Sequence, residues 1–177
     1  MKKTLELQKR KSLLEGTPGI QIRLDRLNQV LDMMISYQEQ IPVALSKDFG
    51  HRSPMASKFT DVASVFDAVH FAKKNLKKWM KPQKRHVGLA FFGAKNTVIP
   101  QPKGVIGIVT PWNYPLFLAL SPAISALAAG NRCIIKMASN SQTLARLMEK
   151  LISEEFDDSV LAVVAGVSAH EFTHLPW

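Results

Sequence analysis

Gly104-Val105-Ile106-Gly107-Ile108-Val109-Thr110-Pro111-Trp112-Asn113-Tyr114-Pro115, followed downstream by Arg132-Cys133-Ile134-Ile135-Lys136, is the stretch whose reading decides the fold. Val105–Val109 is a short unbroken apolar run, as expected for a strand buried on both faces. Arg132–Lys136 reads as a second strand and Leu161–Val164 as a third, with Gly166 just after it. Between the first two, Leu116, Leu120, Ile124 and Leu127 recur at helical spacing, opened by Pro115 and closed by Gly130-Asn131. Between the last two, Leu144, Leu147, Met148, Leu151 and Ile152 do the same, with Ser139-Asn140-Ser141 offering caps. Strands alternating with helices of this length imply βαβ units and a parallel sheet. Ligands of such a sheet bind beyond the carboxyl ends of its strands. Three segments qualify: Thr110-Pro111-Trp112-Asn113, Lys136 with Met137-Ala138-Ser139, and Ala165-Gly166. Taken alone, Asn113 reads equally well as a helix cap, and Lys136 as a solvated strand end.

Toward the amino terminus the pattern is helical. Ile20, Leu24, Leu27, Leu31 and Met34 follow a Thr17-Pro18-Gly19 start signal, and a short helix after Pro42 ends at Asp48-Phe49-Gly50. Ser53-Pro54 places a cap before a first-turn proline. From there Phe59, Val62, Phe66, Val69, Leu76 and Trp79 mark one apolar face, expected to be core, until Pro82 stops the helix. Val87, Leu89 and Phe91, then Thr97-Val98-Ile99, read as two strands of an arm around Phe92-Gly93-Ala94-Lys95-Asn96. So many apolar residues in a ribbon predict a partner surface. The fold class expected is therefore α/β, with helices over 1–82, a β-arm over 86–101 and a partial Rossmann-like βαβαβ unit over 103–177.

Composition narrows the function classes. The chain has 177 residues, 46% hydrophobic and 21% charged, which suits one ordered globular domain. No segment is apolar for long enough to span a membrane and no signal core follows the first residues, so a cytoplasmic location and no membrane partner are expected. Cys133 is the single cysteine and sits in an apolar strand, an unlikely setting for a nucleophile. His170-Glu171-Phe172-Thr173-His174 has the letters of a zinc motif, but a third ligand is lacking, so no metal is expected and the segment reads as a surface turn. The net charge of +9 is the outlier. Much of it lies in the run from Lys73 to Arg85, which could meet phosphates of a nucleic acid but reads more simply as the cationic end of a helix.

The run Pro100–Leu116, with Ala126-Leu127-Ala128-Ala129-Gly130-Asn131-Arg132-Cys133-Ile134-Ile135-Lys136 at the right distance, resembles the aldehyde dehydrogenase superfamily. Asp48-Phe49-Gly50-His51-Arg52-Ser53 and Leu76-Lys77-Lys78-Trp79-Met80-Lys81-Pro82 look most like its coniferyl aldehyde dehydrogenase branch. The resemblance implies NAD- or NADP-dependent oxidation of an aldehyde to its acid. It makes Asn113 the oxyanion-stabilising amide, and places Thr110, Pro111, Trp112, Lys136, Ser139 and Gly166 along the cofactor cleft, with Lys136 on the adenosine ribose. It further implies an oligomer joined through the 87–99 arm. Where the family usually has Pro-Ser-Glu after the lysine, this chain has Met137-Ala138-Ser139, which predicts weak NAD/NADP discrimination or weak binding of either. The family's nucleophilic cysteine and general-base glutamate find no counterpart in these residues. The expectation is a chain that is inactive alone, the alternative a non-catalytic assembly module.

Overall fold

The computed structural model describes residues 1–177. The chain opens with α1 (Lys2–Glu15), α2 (Ile20–Tyr37), α3 (Gln40–Asp48), α4 (Pro54–Ser57) and α5 (Ser64–Trp79). Next come β1 (Gln83–Arg85) and β2 (Asn96–Val98), then β3 (Val105–Val109), α6 (Phe117–Ala128), β4 (Arg132–Lys136), α7 (Gln142–Glu155), β5 (Leu161–Val164) and α8 (Ala169–Thr173).

The predicted βαβαβ unit is present. β3, β4 and β5 form a parallel sheet in that order, with Val105 opposite Arg132, Val109 opposite Lys136, and Lys136 opposite Val164. Side chains alternate across the sheet, and the two faces have different covers. Ile108, Cys133, Ile135, Leu161 and Val163 join the large core made with α6, α7, α2 and α5. Ile134 points the other way, into a small cluster with Leu5 of α1 and Phe172 of α8, fringed by Val105 and Val164. On that second face the Trp177 indole lies so close over Gly107 that a Cβ there would meet ring atoms at 2.6, 2.7 and 3.0 Å. The glycine is what lets the ring approach the strand.

α1 carried little sequence signal, because only Leu5 and Gln8 are buried along it. Its anchor is polar: Gln8 Nε2 donates to the carbonyls of Cys133 (3.0 Å) and Asp158 (2.8 Å).

Several local expectations change. Proline 42 lies inside α3, within the first turn, where its missing N–H removes no helical bond. Between α4 and α5 the helix widens into a π segment, Lys58–Ala63, which breaks the regular period. Val62, Val69 and Leu76 remain in the core, but Phe59 is 76% exposed and Trp79 lies at the surface. The arm is an antiparallel pair, as read, but its first strand is β1 and not Val87–Phe91, which forms a loop with one 3₁₀ turn, Leu89–Phe91. Leu89 and Phe92 are each 93% exposed, so their apolar character marks a surface and not a strand.

α6 starts at Phe117, not at Pro115, although Leu118 N–H already donates to Tyr114 O (2.9 Å). None of the Ser139-Asn140-Ser141 side chains caps α7. Asp48 does: its carboxylate accepts from Thr143 N (2.8 Å) and Leu144 N (2.8 Å), tying the end of α3 to the start of α7. The His170–His174 segment is a short helix and not a turn, because Ser168 and Glu171 close a capping box. Glu171 is thereby committed to Ser168, and no group of three metal-capable side chains surrounds the stacked histidines. No helix is long and apolar enough to cross a membrane.

Candidate functional site

The register that pairs Val109 with Lys136 and Lys136 with Val164 brings the three predicted segments to one end of the sheet. Two of them are stitched together. Thr110 N–H donates to Lys136 O (3.0 Å), and its hydroxyl accepts from Ala138 N (3.1 Å) while lying 3.4 Å from Lys136 O. Thr110 is buried, so its hydroxyl is occupied in holding the loops at a fixed spacing. Pro111, Trp112, Asn113 and Tyr114 then stand out from the surface, with Trp112 62% exposed. The Asn113 amide has no hydrogen-bond partner within the chain.

Lys136 differs from the solvated strand end that a lysine at this place would ordinarily be. It is only 5% exposed, it forms no ion pair, and its ammonium donates to no group of the protein. By strand alternation it shares a face with Val109 and Val164. A lysine with a buried stem and an ammonium that no protein group occupies, at the carboxyl end of a parallel strand, is suited to an anionic or polyhydroxylated ligand. Ser139 is exposed, and no carboxylate occurs among Met137, Ala138 and Ser139. Gly166 has φ +70° and open space where a Cβ would be. Its N–H is taken by Gln142 Oε1 (3.1 Å), so what it offers a ligand is clearance.

The loop carrying Asn113 is held from a distance by groups whose role the sequence did not disclose. Asp61, fully buried, accepts from Phe117 N (3.2 Å) at the start of α6 and from Arg52 Nη2 (2.8 Å). The Arg52 guanidinium lies over the rings of Phe49 (4.9 Å) and Tyr114 (5.6 Å). Beside Tyr114 a groove of about 330 Å³ is lined by Phe59, Tyr114 and Phe117, with Thr60, Ser64 and Asp67. Phe59 belongs to this wall, which corrects its assignment to the core. A larger depression of about 470 Å³ around Glu39, Ser46 and Lys47 shares no residue with the strand-end loops.

Cys133 is fully buried, and burial pushes its thiol up to about 12, so it is protonated at neutral pH. It is a packing residue. The Lys73–Arg85 run is what the simpler reading expects in part: Lys77 and Lys78 lie in the last turn of α5, and Lys73 Nζ donates to Asn28 Oδ1 (2.6 Å).

The sequence pattern of the family described as "Aldehyde dehydrogenase family" matches residues 16–175. The chain is 38% identical over 169 residues to a probable coniferyl aldehyde dehydrogenase of Caulobacter vibrioides, covering 94% of this chain and 35% of that protein. It is 34% identical over 178 residues to the coniferyl aldehyde dehydrogenase of Pseudomonas sp. strain HR199, covering 97% and 37%. Among solved structures, the substrate-bound state of Staphylococcus aureus AldH superposes with a TM-score of 0.89 at 29% identity, covering 97% of this chain and 37% of that one. The chain thus spans about a third of the length of the curated relatives it matches.

Proposed function

Because the chain belongs to the aldehyde dehydrogenase family, we propose that it supplies the oxyanion donor and part of the dinucleotide cleft for NAD(P)-dependent oxidation of an aromatic aldehyde, of the coniferyl type, to its acid. The observation that carries this reading is Lys136, a lysine whose side chain is largely buried and whose ammonium is unpaired within the chain, at a strand end directly joined by Thr110 to the loop of Asn113. The residues present fit a nicotinamide dinucleotide in part: Lys136 would donate to the adenosine ribose hydroxyls, and Gly166 would leave room for the adenosine end. When bound, the dinucleotide supplies the two-electron oxidising equivalent. Asn113 would donate its amide N–H to the oxygen of the tetrahedral adduct formed by thiolate attack on the aldehyde. One such donor is typically worth about 3 kcal/mol of barrier. The nucleophile and the base for deacylation come, in this proposal, from outside these 177 residues, since Cys133 is buried and protonated.

The preference for an aromatic aldehyde rests on the groove beside Tyr114, the residue next to Asn113, where the Phe59, Tyr114 and Phe117 rings offer flat apolar surface to a planar substrate. Weak discrimination between NAD and NADP is proposed because no carboxylate follows Lys136 to accept from a ribose 2′-hydroxyl or repel a 2′-phosphate. Titrating the purified chain with each cofactor, and following tryptophan fluorescence, tests the cofactor reading. Binding that Lys136→Met abolishes, with affinities for NAD and NADP within a fewfold of each other, is the expected result. Strong preference for NAD would refute the weak discrimination, and binding unaffected by Lys136→Met would refute the role given to Lys136. The chain alone is expected not to turn over aldehyde; cofactor-dependent turnover above that of Asn113→Ala would overturn this.

The arm supports a second role, self-association. Leu89, Phe91 and Phe92, in the loop joining β1 to β2, and Ile99, just after β2, expose apolar surface on an arm whose two strands pair only with each other. A monomer in sedimentation at high concentration would count against it.

A further inference from the structure

At the opposite end of the sheet, where β4 begins, the structure buries more positive charge than it pairs. Arg23, Arg26 and Arg132 are 4%, 8% and 4% exposed, and one carboxylate, Glu15, serves them. Arg132 donates to that carboxylate and to Ser159 O and Oγ. Arg23 is satisfied by the carbonyls of Pro18 (3.0 Å) and Ala128 (3.0 Å), its guanidinium lying flat against Gly130. Arg26 is different. It donates no hydrogen bond to the protein, and its Nη1 is a buried donor without a partner. A guanidinium keeps its proton at any physiological pH, so this charge cannot be removed by neutralisation.

Arg26 and Arg132 form part of the wall of a small cavity of about 50 Å³, with Ser12, Glu15, Gly16 and Gly130 among its other lining residues. That space corresponds to roughly three to five water positions, enough for a compact oxyanion. Glu15 is no obstacle to a second anion, since Arg132 and Lys11 (3.3 Å) both pair with it. An apolar side chain at position 26 would satisfy the packing at lower cost, because an unpaired buried charge is more harmful than none. A ligand that accepts from Arg26 removes that penalty.

We propose that this cavity is a binding site for a small free oxyanion of the phosphate class, held by Arg26 and Arg132 with the Ser12 hydroxyl. It shares no residue with the cofactor cleft, so it stands or falls independently of the enzymatic reading. Thermal unfolding of the chain in inorganic phosphate, against sodium chloride at equal ionic strength, tests it, alongside isothermal titration with phosphate. The expected result is a saturable rise in Tm of a few degrees, one phosphate bound per chain, and Arg26→Met that loses both effects. Arg26→Met should also unfold at a higher temperature than the parent when no phosphate is present. Sulfate and phosphate stabilise many proteins non-specifically, so an unsaturable rise shared equally by Arg26→Met would overturn the proposal. So would titration heats no larger than dilution, or stabilisation by acetate with none by phosphate, which would assign the cavity to a carboxylate.

Discussion

Replacing Asp48 by alanine removes both acceptors that close the amino terminus of α7, since its two carboxylate oxygens each accept one N–H at 2.8 Å. Loss of a helix cap costs about 0.5–2 kcal/mol, and a negative charge at that end adds roughly 0.3–1 kcal/mol through the helix dipole. Both bonds lie in partly solvated surroundings, so water recovers some of the loss and about 2 kcal/mol is expected. For a chain of this size that is a fall in Tm of about 4–8 °C. Asp48→Asn keeps one acceptor at a time and no charge, and should lose about 1 kcal/mol. Ser141→Ala is the control: Ser141 precedes the helix and is buried, yet its side chain caps nothing and makes only a long 3.5 Å bond to Asn140 Oδ1, so a change below about 1 kcal/mol is expected. Urea denaturation at constant m-value measures all three. The reasoning fails if Asp48→Ala lies within about 0.3 kcal/mol of the parent, or if Ser141→Ala costs as much as Asp48→Ala.

Asp61→Ala strands the Arg52 guanidinium without its buried carboxylate and should destabilise by about 3 kcal/mol or more, read by the same denaturation assay; a loss under about 1 kcal/mol would show the pair to be dispensable. Gly107→Ala cannot coexist with the Trp177 ring where it lies, so the indole should swing into solvent and the tryptophan emission shift to the red; an unchanged spectrum would contradict the contact. A thiol reagent at about pH 8 should label Cys133 only as fast as the chain unfolds, because burial holds the thiol near 12; rapid labelling of the native chain would refute this. Asp157 is held below the usual carboxylate range by hydrogen bonds from Ser159. Glu15 is also lowered: burial raises it, but the Arg132 charge and hydrogen bonds from Lys11 and Arg132 outweigh that. Depressed carboxyls contribute stability above their unfolded pKa that is lost as pH falls through the folded one. Stability should therefore decline below about pH 4, and less steeply in Asp157→Asn.

The parallel sheet was legible because each strand is a compact apolar run, and β4 is buried at every position. That the segments after β3 and β4 meet at one end of the sheet was legible because strand-end loops of such a sheet converge. What the sequence concealed was long-range or out of phase. The α7 cap comes from Asp48, far away in the chain, while three good local cap residues lie unused. Apolar Val87–Phe91 imitates a strand because β-propensity scores side chains, and those here face outward. Phe59 was placed in the core by extending a 3.6-residue period through a segment that does not keep it.

That widened turn at Lys58–Ala63 makes the groove beside Tyr114 adjustable by counting residues instead of exchanging them. Trimming one residue there would restore ordinary winding and swing everything upstream by about 100° around the axis. Phe59 would be carried off the groove wall with Asp61, Thr60 and the Arg52 contact still encoded. Chain length at this spot is thus a dial on which aromatic surface lines that groove, separate from the loop that carries Asn113.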